Sequence, residues 1–210
     1  MNNLKTLALA ICFSLISSIT YAEVRLGISA HAISFQSSGS ETLRTSGNVT
    51  KRNVDESLVV PSIFIEKMMG SGNLGLGLDY IPVAELGSGT GADDDAETSG
   101  ANKASAELAS HSTLYVIAQN DNGLYFRAGV SFADVDTTEN LATGDTYGNT
   151  STEGVMVAAG YSRSMDNGFF IRGEISSTDY DDVEITSTGG SKVKADIDAS
   201  AVTLSIGKAF

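Results

Sequence analysis

The side chains that chemistry would need are few. His31 and His111 are the only two histidines, and Ser112 follows His111 directly. A serine beside a histidine is the raw material of a nucleophile and base, and on a lipid-facing wall such a pair would deacylate lipid. The pair also needs an acidic group to orient the imidazole, and nothing in the chain locates one. The plainer reading makes His111 a polar residue near a junction of loop and strand, and His31 an interior residue. Asp93, Asp94, Asp95 and Glu97 offer oxygen ligands for a divalent cation, but their spacing is not that of an EF-hand loop. A solvated acidic loop accounts for them. Asp179, Asp181 and Asp182 flank Tyr180 without a demonstrable base for hydrolysis. Gly72, Gly75 and Gly77 lack the strand-to-helix unit that phosphate binding uses. No catalytic residue, cofactor or metal site is therefore expected. The charges that do recur in a pattern are Arg25, Asp79, Arg127, Arg172 and Glu174, with Glu66 beside them. Each falls on the parity opposite a run of Leu, Val, Ile and Phe.

That parity comes from strands. At the end of the chain Val202, Leu204, Ile206 and Phe210 share one face, and Ala201, Thr203, Ser205 and Gly207 the other. Residues 24–35 place Leu26 and Ile28 against Arg25 and His31. Residues 58–67 place Val59, Pro61, Ile63 and Ile65 against Val60, Ser62, Phe64 and Glu66, with a bulge expected at Pro61, which has no N–H to give. Leu74, Leu76, Leu78 and Tyr80 alternate with Gly75, Gly77 and Asp79. Residues 108–119 alternate without revealing which face is which. Leu124, Phe126 and Val130 oppose Arg127; Val155, Val157 and Tyr161 share a face; Phe169, Ile171 and Ile175 oppose Arg172 and Glu174. Eight strands result. Three short turns, at 70–73, 120–123 and 165–168, carry Asn and Gly. Four long polar connections, at 36–53, 83–106, 134–153 and 178–195, lie between the others and are expected to be loops.

The first 22 residues read as a removable leader. Lys5 precedes an apolar run at 7–19, and Thr20, Tyr21 and Ala22 form a small-x-small cleavage site. The lone cysteine, Cys12, leaves with it, so residues 23–210 hold no disulfide. The net charge of −13 and pI near 4.4 exclude a nucleic-acid partner, whose phosphates need Lys and Arg. No later stretch approaches a spanning helix in length.

Short turns alternating with long connections place all turns at one end of a closed sheet. Charged residues on the parity opposite the apolar run suit a polar interior with an oily exterior. A lipocalin-like soluble barrel would want the reverse. The leader, the eight amphipathic strands and the terminal Ala209 and Phe210 resemble small Gram-negative outer-membrane barrels of the OmpA transmembrane-domain and opacity-protein-like families. The resemblance covers residues 23–210, and its one specific motif is the final strand. It implies that Val202, Leu204, Ile206 and Phe210 are read by the barrel-assembly machinery, although Lys208 stands where an apolar residue is usual. The fold expected is an eight-stranded, antiparallel, up-and-down transmembrane β-barrel in the outer membrane, surrounded by lipid and lipopolysaccharide, monomeric and not an enzyme. Its role is then structural or surface-interaction, through four external loops. A small pore, a lipid-active barrel enzyme and a soluble periplasmic barrel are the alternatives.

Overall fold

The computed structural model describes residues 23–44, 46–70, 72–92 and 101–210. The leader, with Cys12, and the acidic run Asp93, Asp94, Asp95 and Glu97 lie outside the described residues. Among the described residues nine strands form: β1 (Val24–Thr42), β2 (Val49–Met69), β3 (Leu74–Ile81), β4 (Ala84–Ala92), β5 (Ala101–Gln119), β6 (Leu124–Asn140), β7 (Thr150–Ser164), β8 (Phe169–Thr186) and β9 (Lys192–Ala209). All neighbours are antiparallel, in the order β3-β2-β1-β9-β8-β7-β6-β5-β4, and β3 also pairs with β5. Pro82 and Val83 split one stave into β3 and β4, since both pieces pair with β5 in one continuing register from Ile81↔His111 to Ala84↔Leu108. The sheet is thus an eight-stranded, up-and-down barrel. Closure falls between β1 and β9, where the terminal Phe210 exchanges backbone hydrogen bonds with Val24.

Tight turns close three hairpins at one end of the barrel, where Val24 and Phe210 also meet. Gly123 (φ 92) and Gly168 (φ 82) adopt the left-handed conformation that only glycine enters without cost, and each donates back across its turn, to Asn120 and Met165. The other end differs from the sequence expectation. The four long loops are mostly strand: β1 and β2 leave only 43–48 between them, β6 and β7 only 141–149, β8 and β9 only 187–191. A spanning strand needs about 9–11 residues, yet β2 runs for 21 and β7, the shortest of the unbroken staves, for 15. The barrel therefore stands well clear of any bilayer at its loop end.

The chemistry of the two faces exchanges along this length while the parity holds. Near the turn end, Leu26, Ile28, Phe126, Val155, Ile171 and Leu204 point outward and are exposed, whereas Glu66, Arg172 and Asp79 point inward and are buried. Farther along the same strands the outward positions become polar, as at Gln36, Ser38, Asp136, Asp196 and Asp198. The inward ones become apolar, as at Ile33, Phe35, Leu108, Val135 and Ile197. One half is oily outside, as a bilayer requires, and the other is oily inside, as water requires. On the strand whose faces the sequence leaves ambiguous, Val116 and Ala118 face outward while Tyr115 and Ile117 are buried.

Pro61 causes no bulge: β1 and β2 stay in register through Ala30↔Pro61. Its effect falls on the other side. Pairing of β2 with β3 stops at Ile63↔Tyr80. Continued by two residues, that register would set Pro61 opposite Pro82, the only two prolines of the chain. Neither can donate to a ladder. Beyond them, toward the loop end, β2 and β4 make no ladder pairing with each other among the described residues. The wall thus has an unzipped seam, with Val59 and Val83 exposed beside it.

Candidate functional site

The interior has two storeys. The lower, toward the turns, is ionic. Arg172 holds Glu66 with two parallel hydrogen bonds, Nη1 to Oε1 at 2.6 Å and Nη2 to Oε2 at 2.7 Å. Tyr115 donates a third to the same carboxylate at 2.9 Å. The fork geometry matches guanidinium to carboxylate, and Glu66, at 0 % exposure, has its charge satisfied without water. Arg127 pairs with Glu174 at 3.3 Å, and its guanidinium lies 3.7 Å over the Tyr115 ring. Arg25 pairs with Glu23 and donates to Gln119 at 2.9 Å. Phe170, Tyr125 and Phe64 surround the Arg172 guanidinium.

These long side chains need recesses, and glycines supply them. A Cβ on Gly77 would stand 2.3 Å from the Tyr115 ring, and one on Gly160 would stand 2.5 Å from that of Tyr125. The glycines face neighbouring strands, not side chains from across the lumen. Side chains fill the lower storey as they fill other eight-stranded barrels.

A chain of polar contacts lies above the ion pairs. His31 Nδ1 meets Thr203 Oγ1 and Nε2 meets Ser62 Oγ, both at 2.8 Å, and Ser62 donates to Asp79 Oδ2 at 3.1 Å. Hydroxyls occupy both ring nitrogens, which a neutral imidazole satisfies. The other oxygen of Asp79 stands 3.7 Å from His31 Nε2, beyond hydrogen-bonding reach. This layer is the floor of the upper storey, a cavity of about 410 Å³. Ile33, Phe35, Leu86, Leu108, Val135 and Ile197 are among its walls, and Asp79, His31, Thr113, Arg127 and Glu174 line its base. Its size falls within the range of small-molecule sites, about 300–1,000 Å³. Val54 and Glu56 of β2 and Leu86 of β4 line it from either side of the unzipped seam.

Arg25, Asp79, Arg172 and Glu174 are buried, and Arg127 lines the base of the well. The apolar well above them has no counterpart in the sequence reading. His111 also lies elsewhere than the sequence suggests. It sits within β5, not at a loop junction, and faces the cavity, where Nε2 is 3.0 Å from the Tyr180 hydroxyl. Successive strand residues face opposite ways, so Ser112 points outward and cannot share a site with it. A lipid-active pair on the outer wall is thereby ruled out. Asp179, Asp181 and Asp182 are exposed, with Asp182 paired to Lys194 at 2.7 Å, while Tyr180 is buried, so the tyrosine does not share a site with them. Among the described residues, no group of three or more His, Cys, Asp and Glu could hold a metal.

Val202, Leu204 and Ile206 are exposed on the outward face of β9, and Phe210 is exposed at its end. The Lys208 ammonium stands 5.3 Å over the Phe169 ring and 5.2 Å over that of Phe210, so this departure from an apolar final strand is covered by two aromatic faces.

No family model and no curated relative matches this chain. Solved structures do. The outer membrane protein OprG from Pseudomonas aeruginosa is similar with a TM-score of 0.55 at 13% identity, over 90% of this chain and 95% of that one. The outer membrane protein AlkL, solved in lipid bilayers, gives 0.53 at 11% identity, over 92% and 93%. Ail, the attachment invasion locus protein of Yersinia pestis, gives 0.43 at 11% identity, over 88% and 99%. At such identities the likeness to OprG and AlkL speaks for the fold alone, an antiparallel β-barrel like theirs.

Proposed function

We propose that this protein binds small apolar molecules in its upper well and releases them sideways, through the seam between β2 and β4, into the bilayer. One observation carries the reading: an apolar well is floored by interlocked charges and flanked, between β2 and β4, by a stretch of wall where no ladder pairing forms among the described residues. A solute that enters from the loop end meets Arg127, Glu174 and the Glu66–Arg172 pair below it, where an apolar body finds no favourable surroundings. The seam offers Val59 and Val83 instead. In this reading the turn end faces the periplasm, lipid surrounds the apolar belt, lipopolysaccharide surrounds the polar collar, and the chain acts as a monomer without catalysis. The assembly machinery reads Val202, Leu204, Ile206 and Phe210. A role carried by external loops alone has less support, because those loops contract to short links between extended strands.

The test uses the folded protein in phosphatidylcholine nanodiscs, with empty discs subtracted. Octanol is expected to bind saturably at one site. Ala133→Trp, which fills the well from its wall, should weaken that binding by about tenfold or more, the scale of overpacking at about 1–3 kcal/mol. Unsaturable partition equal to that of empty discs, or indifference to Ala133→Trp, would refute the reading. The lateral route is tested separately. Pro61→Val with Pro82→Val restores two donors where the seam begins, and transfer of bound octanol to acceptor bilayer should slow while ion conductance stays at baseline. Transfer at the original rate would remove the seam from the path.

A further inference from the structure

We infer that the well selects amphiphiles whose head carries a positive charge: a hydrophobic amine or quaternary ammonium, its chain in the apolar walls and its head on Asp79. This rests on the reading of the well as a binding site and adds the class of ligand. The charged residues that line the well are three carboxylates, Glu56, Asp79 and Glu174, and one guanidinium, Arg127. Arg127 is engaged by Glu174 at 3.3 Å. The charges below are balanced by the two-bonded Arg172 and Glu66. Asp79 is left over. It is 4 % exposed, makes no ion pair with Arg or Lys among the described residues, and has Ser62 as donor to one oxygen only.

Asp79 lies in the field of Arg127 but touches no Arg or Lys among the described residues, and an ammonium placed against its second oxygen would add a charge-assisted hydrogen bond there. A carboxylate head would instead set a third negative group beside Asp79 and Glu174. The approach favours the same sign. The chain carries −13; Glu56 stands above Asp79 on the cavity wall, and a surface of one sign enriches ligands of the other. Floor and approach thus select cations independently, one by contact and one by field.

The experiment compares octylamine, octanol and octanoate by equilibrium dialysis against the protein in phosphatidylcholine nanodiscs at neutral pH. Octylamine is expected to bind about tenfold tighter than octanol, the scale of one charge-assisted hydrogen bond, with octanoate weakest. Equal binding of amine and alcohol, or octanoate tightest, would overturn the inference while leaving the well as an apolar site. Failure of all three to bind above empty discs would overturn the well and this inference together. The ranking in the unaltered protein decides the matter without a variant. Asp79→Asn, checked for folding by its heat-modifiable mobility, should bring amine and alcohol to within about twofold. Retention of the full preference there would move the cation elsewhere.

Discussion

Replacing Glu66 with alanine should lower the unfolding free energy of the barrel by about 3–5 kcal/mol, the cost of leaving one member of a buried ion pair without its partner. Arg172 would keep its charge at 4 % exposure, with both fork donors emptied and aromatic rings on its sides. Tyr115 would lose the acceptor for a hydroxyl at 1 % exposure. The pair itself need not be stabilising, because burying two charges costs much of what their attraction returns. A second variant separates these contributions. Glu66→Met with Arg172→Met removes both charges and fills their volume, so it should recover most of the loss. Denaturant unfolding in lipid vesicles, followed by heat-modifiable mobility, measures both. A loss below about 1 kcal/mol for Glu66→Ala would mean that water reaches Arg172 and that the lower storey is not sealed. The same protein in planar bilayers gives an independent reading. No steady current is expected from the unaltered barrel, and its appearance in Glu66→Ala alone would identify this pair as the plug.

Much of the lower storey is legible in the sequence. Alternation of Leu124, Phe126 and Val130 with Arg127, or of Ile171 and Ile175 with Arg172 and Glu174, is a strong period-two signal, and its sign places charge inside and oil outside. The upper storey is written in a weaker hand. Between Phe35 and Val54 the only large apolar residues are Leu43 and Val49, while Ser, Gly, Thr, Asn, Gln and charged residues fill the rest of 36–53. Such a stretch looks like a loop because serine and glycine are turn residues and no oily face announces a strand. Here the neighbouring strands on either side supply the pairing, and tertiary context outweighs local propensity. The three register shifts, at Glu85/Gly87, Leu108/Ser110 and Tyr180/Val183, all lie in this half and blur any fixed period there.

The site depends on information that no single strand holds. Pro61 reads as a local defect in its own segment, and Pro82 carries no reading of its own. Their meaning appears only once β2 and β3 are aligned, because that register brings them opposite each other and ends the ladder. His111 beside Ser112 suggests chemistry by adjacency in sequence, which in a strand means opposite faces. Its actual neighbour is Tyr180, 69 positions away in the chain. Asp79 belongs by its parity with the salt-bridged cluster. Parity places it inward but says nothing about height, and height leaves it above the paired charges, at the base of the well.

The exchange of face chemistry with height makes the second large prediction, at two positions of one strand and one parity. Leu204 and Ser200 both point outward from β9, opposite Ala30 and Ser34 of β1. Leu204 is 68 % exposed, with Ile206 and Val202 beside it in the apolar belt. Leu204→Arg should therefore cost about 2–4 kcal/mol, as a cation near mid-bilayer does, while Ser200→Arg should cost about 0–1 kcal/mol because Asp198 and Asp196 already mark that level as wet. Both are read by denaturant unfolding in vesicles of the same lipid. A soluble barrel would show no such difference, since neither position is buried against protein and both substitutions would fall within about 0.5 kcal/mol of neutral. Equal costs at the two positions would sink the two-storey account, because the belt would then end elsewhere. A large cost at Ser200 with a small one at Leu204 would invert it, putting the apolar-walled half in the membrane and the charged half in water. Only the predicted order agrees with a charged floor at bilayer depth beneath an apolar well, and the lateral seam needs that order as well, since Val59 and Val83 must open onto lipid for an apolar ligand to leave that way.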